Sequence, residues 1–222
     1  MRKPPPGLTI GAGHGAPRND DKGVDITDLI STVTQQLGAG GLGRIAGMLG
    51  TSEEGASSAI TTALGALTGA LARNSSEPKG AAALDGALQR DHDGSIFDNL
   101  GGFLGNVASG PGAGILGHLL GKQQPAVTQE ISTQTGLNLS QATGLLQTVA
   151  PLLMGALGRK KQEEGLDAGG VAGLLAGEKA KVEESASGGL GSLLSMIDAG
   201  SAMGFLGKAA SMLGGLFGRK SE

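Results

Sequence analysis

The sequence predicts an all-α protein made of two tandem, homologous, small helical domains. One helical segment occurs twice, because residues 50–73 and 136–159 align without a gap at an offset of 136 − 50 = 86 residues. The identical pairs are Gly50/Gly136, Ala56/Ala142, Thr62/Thr148, Leu67/Leu153, Gly69/Gly155, Ala70/Ala156, Leu71/Leu157 and Arg73/Arg159. The 43 glycines, with only four phenylalanines and no Trp or Tyr, predict helices that pack closely through Gly and Ala. There is scarcely a strand signal.

The first copy of the repeated segment reads as a helix that begins at a capping box. Thr51 is predicted to accept a hydrogen bond from an early backbone N–H, and Glu54 to reach back to the cap. Apolar residues then recur every three or four positions between Ala56 and Leu71, which places one apolar stripe on a helix face. Arg73 lies in the predicted last turn, where its charge complements the helix dipole, and Arg159 does the same in the second copy.

The second copy is predicted to begin at Asn138 or Ser140 and to be apolar around more of its circumference. Pro151 has no N–H to donate to the carbonyl of Gln147, so a bend is predicted there. The aligned residue of the first copy is Gly65, which is also a weak point for a helix. Both copies are therefore predicted to bend.

The rest of the chain supplies shorter helices around these two. Helices are predicted at 24–37, 42–49, 81–88, 115–121, 127–135 and 167–175, and a charged linker at 179–187. The organisation that follows is a disordered tail at 1–23, a first helical domain at 24–109 and a second at 110–222 with Gly/Leu-rich C-terminal helices. The tail is rich in Pro and Gly and lacks the apolar run of a secretion signal.

Composition excludes several classes of function. A net charge of −3 provides no basic surface for nucleic acid, and the absence of cysteine excludes thiolate chemistry and disulfides. No Ser-His-Asp, HExxH or Walker arrangement is present. We therefore expect a cytoplasmic protein that is not an enzyme, with no catalytic or cofactor-binding residues and no small-molecule substrate.

The order of the segments resembles a known family. The residues that carry the resemblance are Gly114-Ile115-Leu116-Gly117, Gly136-Leu137, 150–157 and the turn from Asp91 to Asp98. The chain resembles the YidB-like family, a bacterial domain of unknown function, as two tandem copies. The resemblance implies an all-helical bacterial fold, compared in that family to homeodomain-like helices, and assigns no activity to particular residues. The chain departs from the pattern at residues 198–201, where the second acidic turn is shortened.

Oxygen-bearing side chains alternate in the most polar turn of the chain. They are Asp91, Asp93, Ser95 and Asp98, at the spacing that a hard cation such as calcium favours. Gly102, however, stands where a calcium-binding loop of the EF-hand type has its bidentate Glu. The alternative is a purely structural turn in which Ser95 caps the next helix and Asp98 completes the cap. We favour the structural turn, and calcium is the one cofactor that the sequence leaves open.

Two features point to partners. Glycines recur four residues apart at Gly65/Gly69, Gly101/Gly105 and Gly165/Gly169/Gly173/Gly177, a spacing that either packs helices within one chain or joins two chains. Residues 204–220 are apolar with three basic residues and either close the second domain or lie on a membrane surface. The predicted function is a helical interaction or self-assembly protein with protein partners or as a homo-oligomer. The alternative is a peripheral membrane protein.

Overall fold

The computed structural model describes residues 27–185 and four further positions, Gly191, Leu194, Ser195 and Ile197. Within these residues the chain forms eight α-helices and no strand, so the prediction of an all-α fold is confirmed. The helices are α1 (Thr27–Leu49), α2 (Glu53–Ser75), α3 (Pro78–Asp91), α4 (Leu100–Gly105), α5 (Gly112–Leu120), α6 (Gln124–Thr135), α7 (Leu139–Glu164) and α8 (Ala168–Ser185). Short 3-10 helices lie at Ser95–Asn99, Val107–Ser109 and Gly121–Gln123.

The helices α2 and α7, which contain the repeated segment, lie at the centre and pack against each other. The helices of each half also contact the central helix of the other half: α1 packs on α7, and α5, α6 and α8 pack on α2. Buried residues of both halves consequently belong to one hydrophobic core, which is built mainly of Leu and Ala. The division of the chain into two domains, 24–109 and 110–222, stays a prediction from the sequence.

The two central helices begin in the same way. The preceding helices end at Leu49 and Thr135, which are 86 residues apart, and each is followed by a glycine with a positive φ, Gly50 at 61° and Gly136 at 71°. Such a left-handed residue after a helix suits glycine because it has no Cβ. The N-caps are Ser52 and Asn138, again 86 residues apart, and each accepts a hydrogen bond from a backbone N–H three residues later.

The structure corrects the predicted cap of α2 by one residue. Ser52 is the N-cap, and its Oγ accepts from the backbone N–H of Gly55 at 3.1 Å, whereas Thr51 was predicted to do so. Asn138 is confirmed as the start of α7, where it forms a complete capping box with Gln141. Thr51 and Ser52 both carry a hydroxyl that can cap a helix, so residue type alone could not decide between them.

The two predicted helical segments of the first half, 24–37 and 42–49, lie on either side of a kink at Gly38. Gly38, with φ 55° and ψ −176°, leaves the helical conformation and divides α1 into two helices, so the predicted break is confirmed. The glycine-rich stretch 38–41 was predicted to end the opening helix. Only Gly38 interrupts it, because the residues after Gly38 return to helical geometry.

Pro151 lies inside α7, which is assigned as an unbroken helix from Leu139 to Glu164. The missing N–H leaves the carbonyl of Gln147 open, and α5 packs closely against this carbonyl through Gly112. A Cβ atom at Gly112 would overlap the Gln147 carbonyl oxygen. The predicted bends at Pro151 and Gly65 stay predictions.

The charged linker predicted at 179–187 is wrong over its described part, because α8 continues to Ser185. Lys179 and Glu183 pair one turn apart at 3.4 Å, and Glu178 is 1 % exposed. Charges at these spacings support a helix instead of ending one. The predicted tail at 1–23, the shortened turn at 198–201 and the segment 204–220 lie outside the described residues.

Candidate functional site

The acidic turn, Asp91–Asp98, joins α3 to α4 and is the most polar connection that the sequence singles out. Asp91 is the last residue of α3, and Gly94 adopts a φ of 95° that reverses the chain. The 3-10 helix Ser95–Asn99 follows and leads directly into α4. No residue of this 3-10 helix is fully buried, but Ile96 and Phe97 are partly buried and pack against the hydrophobic core.

The four predicted metal ligands do different things in the structure. Asp91 is exposed, and Asp93 accepts a hydrogen bond through Oδ1 from the backbone N–H of Ser95 at 3.0 Å. Asp98 lies 3.5 Å from the guanidinium of Arg159 and forms an ion pair with it. In the described part of the chain, no three His, Cys, Asp or Glu side chains are placed to hold a metal ion together. Calcium binding at this turn stays a prediction.

The predicted helix cap at Ser95 is wrong. Gly94 occupies the N-cap position, so Ser95 is already the first residue of the 3-10 helix and its backbone N–H needs an acceptor. The Asp93 carboxylate supplies that acceptor, and its hydrogen bonds with Ser95 hold the pKa of Asp93 below the usual range. The cap of α4 is Asn99, which accepts from the backbone N–H of Gly102 at 3.2 Å.

The acidic turn docks on the C-terminal half of α7 through two glycines. At Gly158 a Cβ atom would overlap the carbonyl oxygen of His92, and at Gly155 it would meet the side chain of Ile96. The backbone of the turn therefore approaches this helix more closely than any other residue type would allow. Burial of the His92 imidazole lowers its pKa, while the neighbouring carboxylates of Asp91 and Asp93 oppose that shift.

Arg159 of α7 holds the docked turn at three places. Its Nη2 donates to the carbonyl oxygen of Gly94 at 3.1 Å and lies 3.5 Å from the Asp98 carboxylate. The guanidinium also lies over the ring of Phe97, 5.3 Å from the ring centroid. One turn further along α7, Gln162 donates from Nε2 to the carbonyl oxygen of Asp93 at 3.1 Å.

The equivalent residues of α2, in the first half, make similar contacts with a segment of the second half. Arg73, 86 residues before Arg159, donates from Nη1 to the carbonyl oxygen of Ile197 at 2.7 Å and to Gln123 Oε1 at 2.5 Å. Gly69, 86 residues before Gly155, faces Leu194, and a Cβ atom there would overlap the leucine side chain. Each central helix thus receives a segment of the other half between a glycine and an arginine.

Sequence reasoning identified the acidic turn but not the surface that receives it. Arg159 was interpreted through the helix dipole alone, and Gly155, Gly158 and Gln162 were not singled out as a contact. The available signal was the repeat itself, because Gly69/Gly155 and Arg73/Arg159 are identical pairs four residues apart on both central helices. On each central helix, a segment of the other half lies against this glycine and accepts a hydrogen bond from this arginine.

One described helix is long and apolar enough to cross a membrane by length and composition, namely Glu53–Ser75. Its most apolar window is 72 % buried inside the protein, as is typical of a core helix. This is weak evidence for a membrane span, and the buried fraction agrees with the packing of α2 against α1, α7 and α8.

The fold and the docked turn define an all-helical protein whose two central helices each bind a segment of the opposite half. The chain belongs to the family described as bacterial protein of unknown function (DUF937), which it matches over residues 31–160. This range runs from α1 into the last turns of α7 and contains α2, most of α7 and the acidic turn. No curated protein and no solved structure matches the chain.

Proposed function

We propose that this protein is a non-enzymatic helical interaction protein that self-assembles, with a second copy of the chain as its partner. The observation that carries the proposal is a row of small residues on α8 that is exposed in the part of the chain the structure describes. Gly169, Gly173 and Gly177 are exposed at four-residue spacing, with exposed Ala176 and Ala180 beside them. Among the described residues, no atom lies within 4 Å of a Cβ placed at Gly173 or Gly177.

The other glycines with this spacing are buried, end a helix, or lie exposed on a very short helix. Gly65 and Gly69 are buried in α2, and Gly165 is the left-handed residue that ends α7, with φ 65°. Gly101 and Gly105 lie on α4, which has only six residues. The face of α8 is therefore the one long helical surface among these candidates that offers close approach to another helix.

A second copy fits this face because a flat row of small residues is complementary to itself. Two such helices can approach closely about a two-fold axis, and each then contributes the same surface to the contact. Charged neighbours on α8, such as the Lys179–Glu183 pair, would flank the contact.

Light scattering of purified protein over a wide concentration range tests this proposal. We expect the native protein to dimerise and Gly173→Gln to weaken that dimer, because the longer side chain blocks close approach. The matched control is Gly47→Gln, at an exposed helical glycine of α1 that also has nothing within 4 Å. Both changes should stabilise the monomer by up to about 1 kcal/mol through helix propensity. A native protein that stays monomeric, or a Gly173→Gln variant that dimerises as the native chain does, would refute the proposal.

We also propose that the chain consists of two related units of the YidB-like type. The support is that α2 and α7 share their preceding left-handed glycine, the position of the N-cap and the glycine–arginine pair, all at an offset of 86 residues. Thr62 and Thr148 add a further match, since each donates its hydroxyl to the carbonyl four residues earlier. The homeodomain-like comparison rests on the resemblance alone.

The alternative proposal is a peripheral membrane protein that uses residues 204–222, which are outside the described residues. Its support is the apolar and basic sequence of that segment. Co-sedimentation with anionic liposomes should then disappear when residues 204–222 are deleted, and full-length protein that stays in the supernatant would exclude this function.

A further inference from the structure

We infer that residues 216–220 of this chain bind a groove between α1 and α2 of the same copy. The groove has a volume of about 600 Å³. It is lined by Leu42 of α1 and, on α2, by Glu53, Glu54 and four hydroxyl-bearing residues between 57 and 62. The inference does not depend on the exposed face of α8. It gives the C-terminal segment an intramolecular site, whereas the alternative function above gives that segment a membrane.

The polar side of the groove offers hydrogen-bond acceptors. Glu53 and Glu54 are exposed, and among the described residues no Lys or Arg forms an ion pair with either carboxylate. The hydroxyls of Thr61 and Thr62 each donate to the carbonyl oxygen four residues earlier at 3.0 Å, so their oxygen lone pairs are left to accept. The groove therefore suits cationic donors such as guanidinium and ammonium groups.

The end of the C-terminal segment has the chemistry that matches this groove. Residues 216–220 are Leu-Phe-Gly-Arg-Lys, so two apolar side chains are followed by two cations. Leu42 offers an apolar contact on the α1 side, and Glu53 and Glu54 offer carboxylates on the α2 side. The apolar pair can therefore pack against α1 while the cations pair with α2.

The distribution of charge along the chain favours the same contact. Residues 27–185 contain ten Lys and Arg and fifteen Asp and Glu, a net charge of 10 − 15 = −5. Residues 204–220 contain Lys208, Arg219 and Lys220 and no acidic residue. The helical body therefore attracts this segment, whereas its net negative charge repels an anionic membrane.

The chain after Ile197 is long enough to reach the groove within one copy. The carbonyl of Ile197 is bound to Arg73, near the C-terminal end of α2, and Glu53 begins α2 73 − 53 = 20 residues earlier. At 1.5 Å per residue, these two positions are about 30 Å apart. The 216 − 197 = 19 steps to residue 216 span about 29 Å as a continuous helix and more wherever the chain is extended.

Disulfide trapping in the full-length chain tests the inference, since the chain has no cysteine of its own. The test variant carries Ser58→Cys, at an exposed position of the groove, and Ser221→Cys, next to Lys220. The matched control carries Gly47→Cys and Ser221→Cys, because Gly47 is exposed near the same end of α2 but does not line the groove. A third variant adds Arg219→Gln and Lys220→Gln to the test pair.

In dilute protein at low ionic strength, we expect the test variant to close its disulfide several-fold faster than the control, as followed on a non-reducing gel. The third variant should lose this advantage, because its segment has no cation to pair with Glu53 and Glu54. Closure no faster than in the control, or closure at the same rate in the third variant, would overturn the inference. A disulfide-linked dimer in place of the closed monomer would assign the groove to a second copy and would overturn it as well.

Discussion

Two glycines of α7 determine how closely the acidic turn approaches that helix. At Gly158 the space for a Cβ atom is taken by the carbonyl oxygen of His92, and backbone atoms cannot move aside as a flexible side chain can. At Gly144, on the same helix, no atom of the described residues lies within 4 Å of a Cβ position. The same substitution should therefore have opposite effects at these two sites.

We predict that Gly158→Ala lowers the free energy of unfolding by about 1–3 kcal/mol, the usual cost of an inserted carbon in a close-packed contact. Gly144→Ala should raise it by up to about 1 kcal/mol, because alanine favours the helix and meets no neighbour. Urea denaturation of the two variants beside the native chain measures both values. Equal effects at the two glycines would show that the turn does not lie against α7 at Gly158.

Local sequence rules predicted single residues well where the relevant partner is close in sequence. Asn138 was predicted as a possible N-cap of α7, and its bond to the N–H of Gln141 spans three residues. The contacts of Arg159 could not be predicted by such local rules. Its position near a helix C-terminus was readable from the sequence, but its bond to Gly94 spans 65 residues and depends on how the halves pack.

The acidic turn, as an element, is held by its own hydrogen bonds and by its docking on α7. The Asp93 carboxylate accepts from Ser95, and Asp98 pairs with Arg159, so two of the three carboxylates already have partners. The lowered pKa of Asp93 means that its stabilising contribution is present above its usual pKa of 3.8 and is lost as the pH falls through the lowered folded-state pKa.

We predict that millimolar calcium leaves the melting temperature unchanged, because the carboxylates of the turn are engaged separately and no three His, Cys, Asp or Glu side chains converge among the described residues. Thermal unfolding with calcium and with a chelator checks this expectation. If calcium raises the melting temperature, a ligand is binding the folded state. Loss of that rise in the double variant Asp91→Asn with Asp93→Asn would then establish a calcium site at the turn.

At the level of elements, the sequence predicted the helices around the core and missed one extension. The apolar spacing placed α2 and α7 correctly, because a buried helix face leaves a strong pattern. The charges at 179–185 were interpreted as a linker, yet Lys179 pairs with Glu183 along α8 and Glu178 is buried. Charge density alone does not distinguish a solvated linker from a helix with paired charges.

On the scale of the whole molecule, the central helix of each half binds a segment of the other half through its arginine. Arg159 of the second half binds the acidic turn of the first, and Arg73 of the first half binds the backbone at Ile197 of the second. The similarity between the sequences of α2 and α7 could be read directly, but the crossed pairing could not, because each arginine could equally have bound a segment of its own half. The structure selects the crossed arrangement.

Hydrogen exchange of two single variants tests this claim most directly. Arg159→Gln should speed backbone exchange in residues 92–99 and leave 191–197 unchanged, since it removes the donor to Gly94. Arg73→Gln should do the reverse through its lost bond to Ile197. The contradicting result is the uncrossed pattern, in which Arg73→Gln speeds exchange at 92–99 and Arg159→Gln speeds exchange at 191–197.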